Sequence, residues 1–256
     1  MSVWSIIQNM SFHALWNFGV LFLVLLSIVL FLFLIPKHPQ FTNKHGISFI
    51  LGGLFLFVAM GSPLNLLGRI LFRFHMVQMI VLFLFAAPLI VYGLKGTHLV
   101  NYRIRSIYPV ALFVSVFYVY HLPPIFDIVR TQYRLNYVSL LILFLTMLYG
   151  WAPFYLWGEK IHVRYFVFLF PMCLFLIFSQ ENLYSIYTDS SLLKNAILLC
   201  LPQGVSYTEL SEDLIIASLP INPIIEQKIA GGVLLSVLLF FFVFSKLSIV
   251  QVKRFR

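Results

Sequence analysis

VLFLVLLSIVLFLFLI, residues 20 to 35, holds one hydroxyl and no charge. Its apolar side chains do not alternate with polar ones, as they would along a barrel strand whose lipid and lumen faces exchange at every residue. A continuous apolar run approaching the roughly 20 residues that cross the hydrocarbon core reads as a membrane helix. Only a helix satisfies its backbone hydrogen bonds within one such segment.

The rest of the chain repeats this pattern. Of 256 residues, 61% are hydrophobic, 18% aromatic and 10% charged, and the mean hydropathy is +0.98. Soluble domains carry about a quarter charged residues, so the solvent for most of this surface is lipid. Seven spans are predicted, near residues 14–36, 46–62, 75–94, 106–122, 135–156, 163–180 and 229–250. The expected architecture is all-α: a polytopic seven-helix bundle forming one membrane domain over residues 1–256. The second and fourth spans are short and abut Pro63 and Pro123–Pro124, which limit a regular helix. The first run lacks a preceding Lys or Arg and a small-residue cleavage site, so it is expected to remain as a helix rather than leave as a signal peptide. Pro88 and Pro171 should distort spans three and six.

The net charge of +9 is an orientation signal. Lys37, Lys44, Lys95, Arg103, Arg105, Lys160, Arg164, Lys246, Lys253, Arg254 and Arg256 fall on one side with the single acid Glu159. The other side carries six basic residues and seven acids. The positive-inside rule places the N-terminus outside and the C-terminus in the cytoplasm. No nucleic-acid footprint is present; lipid is the partner that the surface demands. One longer segment, about residues 181–228, lies on the outer side. It contains a short helix with Asp189 or Ser190 as N-cap and a capping-box pattern at Ser206 and Glu209. Cys173 and Cys200 form no CxxC pair, and Cys173 reads as a small apolar core residue.

Chemistry concentrates at the outer mouth of span three, FRFHMVQMIVLFLFAAPLIVYGL, residues 72–94. His75 and Met79 are one turn apart on one face, flanked by Met76 and Gln78. His121, at the end of span four, comes to similar depth, as do Met60, Glu226 and Gln227. Imidazole suits copper, zinc or iron, and thioethers select Cu(I). The same residues also fit plain helix packing and interfacial solvation, so both readings stay open on composition. His13 lies on the outer side as well, whereas His38, His45, His98 and His162 fall in the basic loops. Asp127 and Arg130 are spaced to pair along their turn, and Arg69 and Arg73 to anchor an interfacial one. No paired carboxylates or Ser/His/Asp set suggests hydrolysis, and no mid-span Lys or carboxylate suggests a Schiff base or a proton relay.

Four stretches in this order, GSPLNLLGRILFRFHMVQM onward from residue 61, FYVYHLPPIFDIV (117–129), FPMCLFLIFSQENLYSIYTDSS (170–191) and EQKIAGGVLL (226–235), resemble the CtaG family of bacterial cytochrome c oxidase assembly factors. The resemblance implies a non-enzymatic role in maturing a haem–copper oxidase of the caa type in the bacterial plasma membrane. Oxidase subunits would be the partners and copper the cargo. It implies that His75, Met76, Gln78 and Met79 match the family's HMxQ segment, His121 its HxP histidine, and Glu226–Gln227 its acid–Gln pair. Many members carry a second His where Met79 stands, Asp where Glu226 stands, and a His near Asn136. This donor set is poorer in nitrogen and richer in sulfur, which favours Cu(I) if copper binds. The expected metal set is therefore His75, Met76, Met79 and His121, supported by Gln78, Glu226, Gln227 and Asp127. A metal-free scaffold for oxidase assembly is the main alternative. A copper or solute transporter, and a haem protein with His75 and His121 as axial ligands, follow.

Overall fold

The computed structural model describes residues 11–98, 107–156, 167–198 and 222–254. Helix α1 (Phe18–Val29) runs on as a π turn to Leu34 and starts at Asn17, whose side chain accepts the Val20 N–H. Lys37 reaches back to the carbonyls of Phe31 and Ile35 and so closes the C-terminal end of α1, a use of lysine that satisfies orphan carbonyls. Helix α2 (Asn43–Gly61) opens with a capping box between Thr42 and His45. Ser62 then caps the short α3 (Pro63–Ile70), with Pro63 in the first turn, where its missing N–H costs nothing.

The most buried of the long helices is α4 (Phe72–Leu94). After it come α5 (Ile107–Tyr120) and α6 (Pro123–Thr131), which meet at 77°. Pro123 and Pro124 start a new helix there rather than extend the old one. Helix α7 (Tyr133–Tyr155), α8 (Phe170–Phe178), a 3-10 turn (Ser185–Tyr187), α9 (Ser190–Leu198) and α10 (Pro223–Arg254) follow, and a single helical turn, Phe12–Leu15, precedes α1.

Among the described residues four helices are long and apolar enough to cross a membrane: Asn43–Gly61, Phe72–Leu94, Tyr133–Tyr155 and Pro223–Val243. A fifth joins them if α5 and α6 count as one broken span. The expected seven spans are thus not reached among the described residues. Helix α1 begins four residues later than expected, at its Asn17 cap, and of the sixth span only Phe170–Phe178 is a described helix. Cys200, the Ser206–Glu209 pattern and His162 lie outside the described residues.

The segments nevertheless alternate in direction. At one end the loop after α1 meets the loop after α4: Lys37 bridges to Thr97, and the His38 N–H donates to Gly96 O at 3.0 Å. At the other end Asn17 N–H donates to Gly61 O, and Asn17 and Asn65 both donate to the Tyr137 hydroxyl. His75, His121 and Glu226 belong to this second end. Lys37 and Lys95, in the two described basic loops, therefore lie at the end opposite the histidine pair. Close approach of α2 to α4 depends on Gly52, where a Cβ would come within 2.9 Å of the Ile90 backbone nitrogen. Exposed Phe22, Phe33, Leu141, Leu145 and Phe240 cover the outside, the distribution of a bundle solvated by lipid rather than water. Cys173 is buried, as expected.

Pro88 does more than bend α4. The helix widens to a π turn over Val81–Ala86, and Ala87 N–H donates to Leu82 O, five residues back. The next donor in that register would be Pro88, which has no N–H. Phe83 O is left for a side chain, and the Trp151 indole of α7 donates to it at 2.8 Å. A buried carbonyl without a partner is costly, so Trp151→Phe is expected to destabilise the protein by about 1 kcal/mol, the scale of hydrogen bonds inside membrane proteins. Reversible unfolding in mixed micelles measures it, and an unchanged midpoint would remove Trp151 from this role.

Candidate functional site

Helix α4 begins badly for a buried helix. Leu71 is extended and offers no side-chain cap. The Arg73 N–H is satisfied instead by Glu226 of α10, whose Oε1 accepts it at 3.2 Å and also meets Arg73 Nε at 3.4 Å. A carboxylate at a helix N-terminus answers both the orphan donor and the helix dipole. This contact fixes the first turn of α4 and with it His75, Met76, Gln78 and Met79, all buried. Gly68 lets α3 lie against the same turn, since a Cβ there would come within 3.2 Å of His75 Cα.

Gln78 is a junction. Its Nε2 donates to Ala59 O at 2.8 Å and to Asn65 Oδ1 at 3.0 Å. Both are acceptors only, which fixes the amide and turns Oε1 toward His75 Nδ1 at 3.4 Å. An oxygen at that position requires Nδ1 to carry the proton. His121 is fixed the same way, with Nδ1 2.8 Å from Phe117 O. Both imidazoles are therefore in the Nδ1–H form, and each Nε2 presents a lone pair. Neither Nε2 has a hydrogen-bond partner, although both are buried. The ring centroids are 5.6 Å apart.

An aromatic collar surrounds them. Phe126 of α6 lies 5.2 Å from the His75 ring and 5.9 Å from His121, and Tyr120 lies 5.7 and 4.9 Å away. Tyr184 covers the collar, 4.4 Å from Phe126, and its hydroxyl donates to His121 O at 3.2 Å. Tyr187 packs against Phe72 at 5.6 Å. Burial pushes both phenols above the usual tyrosine range. The covering segment is held by Asp127, whose carboxylate accepts the N–H groups of Ser185 and Ile186 at 3.0 and 3.1 Å. Gln227 accepts the Leu183 N–H at 3.0 Å. Asp189 caps α9, accepting from Ser191 and Leu192, and those hydrogen bonds hold its carboxyl below the usual range.

The expected residues thus meet at one end, in different roles. His75 and His121 form the pair. Met76 is buried beside it in sequence, and Met79 lines an apolar space with Phe83, Phe117 and Met147. Gln227 and Asp127 spend their side-chain oxygens on backbone N–H groups, and Glu226 does so through Oε1, while its Oε2 is buried without a hydrogen bond. His13 is exposed and stands apart. The expected Asp127–Arg130 pair does not form, because Asp127 caps the 3-10 turn while Arg130 turns inward and donates to Asn136 Oδ1 at 2.8 Å. Arg69 is likewise buried rather than at a headgroup surface, over the rings of Tyr133 and Tyr137. Arg130 and Asn136 were not legible as site residues. The available signal was the Pro-Pro break, which redirects the apolar face of α6, with Phe126, Val129 and Arg130, into the bundle.

A family model, the cytochrome c oxidase caa3 assembly factor, matches residues 28–251. The chain belongs to this family. The caa3 assembly factor match includes every residue of the histidine cluster, its collar and its cover. Comparison with the curated proteins and with solved structures gave no match.

The histidine pair fits a metal in its chemistry. Two imidazoles sharing one ion through bonds of about 2 Å would have ring centroids roughly 5–6.5 Å apart, which brackets the observed 5.6 Å. Metal-bound histidines characteristically donate their second N–H to a carbonyl or carboxylate, the part taken here by Phe117 O and Gln78 Oε1. Among the described residues no three His, Cys, Asp or Glu side chains converge on one point. The donor set is two imidazole nitrogens.

Proposed function

We propose that this caa3 assembly factor holds copper as Cu(I) between His75 and His121 at the outer face of the plasma membrane and yields it to an oxidase subunit docked alongside. The protein acts without catalysis; copper is cargo. The observation that carries this reading is the pair of buried, unpartnered Nε2 lone pairs on two helices, each tautomer fixed from the far side of its ring. Cu(I) accepts two-coordination by imidazole, and Met76 and Met79, one and four residues after His75 on the same helix, carry soft thioethers of the kind it favours. The outer location rests on the basic loops at the opposite end, and the multi-pass membrane setting on the apolar helices. Release requires the cover over residues 183–187 to open, and its anchors are few: Asp127, Gln227 and the Tyr184 hydroxyl.

A metal-free scaffold is the second reading, and a specific observation favours it. Gln78, Glu226, Gln227 and Asp127 all bind backbone groups, as parts of a clasp would. Transport receives no support. The middle of the bundle is lined by Leu82, Ala86, Leu143, Met147 and Leu238, with no polar path among the described residues. A haem between the two histidines would have to displace Phe126 from its contacts with both rings.

Deletion of the gene followed by an oxidase assay, with and without added copper, tests the proposal. Loss of assembled oxidase that copper restores is the expected result. Loss that copper does not restore favours the scaffold, and oxidase left intact defeats both readings.

A further inference from the structure

Arg130 is completely buried, and its charge has no carboxylate at ion-pair distance among the described residues. Its Nη1 donates to Asn136, and the guanidinium lies 5.8 Å from the Phe126 ring. Its Nε and Nη2 have no partner. A guanidinium does not discharge by losing its proton, and an unpaired buried charge is strongly destabilising. Something else must neutralise it.

The neighbouring unpartnered atoms say what. The Tyr187 hydroxyl and Asn136 Nδ2 are buried without hydrogen bonds, the Tyr120 hydroxyl lies beside the Arg130 guanidinium with its own proton not donated, and Arg130 is within electrostatic range of Tyr187 and both histidines. All of these groups gather around Phe126, with Tyr120 at 5.6 Å and Tyr187 at 6.3 Å from its ring. The two guanidinium nitrogens and the amide nitrogen can only donate, and each hydroxyl has a proton to give. Five unspent donor groups beside an unneutralised cation form the complement of an anion. The carboxylates nearest Tyr187 do not neutralise Arg130: Asp127 is spent on Ser185 and Ile186, and Glu226 pairs with Arg73 through Oε1, its buried Oε2 lying beyond ion-pair distance of Arg130.

We infer that Arg130, Asn136, Tyr120 and Tyr187 form a buried site for a small monovalent anion of halide size, next to the two histidine lone pairs. Small size follows from the enclosure, since Arg130 and Tyr120 are buried and Tyr184 and Tyr187 close the top. The site also resolves an electrostatic conflict. A Cu(I) ion at His75 and His121 would stand near a bare guanidinium, and an anion between them leaves a net charge of one rather than two. Copper would then be held together with its anion. That last step rests on the proposed function, whereas anion binding itself does not.

The test uses metal-free protein in phospholipid-free detergent, so that no headgroup phosphate competes. Thermal unfolding is followed while bromide replaces gluconate at constant ionic strength. The expected result is a saturable rise in Tm for the wild type, absent in Arg130→Gln and shifted to several-fold higher bromide in Tyr120→Phe/Tyr187→Phe. The double tyrosine variant keeps the charge and decides the matter where Arg130→Gln does not fold. Absence of a bromide-specific rise in the wild type overturns the inference, as does an unshifted midpoint in the tyrosine variant. Neither result touches the copper proposal, which is read in a separate Cu(I) titration.

Discussion

Replacing His75 and His121 together by leucine is expected to abolish Cu(I) binding while leaving the protein folded. Each Nε2 is already without a partner, so no hydrogen bond is lost there. Burying an apolar group in place of an unsatisfied polar one is neutral or stabilising. What disappears on the other edge of each ring is a 3.4 Å contact to Gln78 and a bond from Nδ1 to the carbonyl four residues back. Affinity should fall by more than about 100-fold, because losing the ligands themselves exceeds the roughly 10–100-fold cost of losing a residue that orients one. Competition against a chromogenic Cu(I) chelator gives the affinity, and micelle unfolding gives the stability. Copper bound as tightly by the double variant would end the proposal. A variant more stable than the wild type that no longer supports oxidase assembly would identify the two bare nitrogens as kept for function.

Much of this fold could be read from residue 20 onward, because the lipid requirement acts on whole segments. Runs of apolar residues, prolines at their ends and the bias of Lys and Arg located the main helices and their alternation. The errors came from local hydrogen bonding that hydropathy does not see. Helix α1 starts at Asn17 because that side chain caps it, not where apolar residues begin. Pro88 was expected to distort α4, but a π turn completed by an indole from α7 depends on a residue 63 positions later, Trp151. The 77° break at Pro123–Pro124 was visible as proline, although its consequence for Arg130 was not.

The site divides in the same way. His75 and His121 were placed at similar depth from helix ends and antiparallel neighbours, and their rings lie 5.6 Å apart. Gln78, Glu226, Gln227 and Asp127 were read as supports of the cluster, without the means of support. Each answers a backbone debt that exists only once the chain is folded: the uncapped start of α4, the N–H of Leu183, the 3-10 turn at Ser185. Arg130 was misread because an Asp three residues before an Arg looks like a surface pair. The tertiary demand of two backbone N–H groups outbid it for Asp127.

Gln78→Leu is expected to do the most damage of any substitution at the clasp, and it separates the two readings of the function. The change leaves Asn65 Oδ1 and His75 Nδ1 without their partners and removes the link to Ala59 O. At about 1–3 kcal/mol for a buried group left unsatisfied, tempered by the smaller averages found inside membranes, the loss should be about 2 kcal/mol. Combining it with Asn65→Ala should recover about 1 kcal/mol of that as coupling, because the two side chains share one bond. Unfolding of the four proteins in micelles measures the cycle, and strict additivity would dissociate Gln78 from Asn65. The decisive readout is copper. With Oε1 gone, nothing holds His75 in the Nδ1–H form, and its proton can move to Nε2, the nitrogen that a metal needs bare. A copper-holding protein should then lose Cu(I) affinity by about 10-fold or more even at temperatures where it remains fully folded. A scaffold would lose assembly activity only in proportion to the folded protein lost, at every copper concentration.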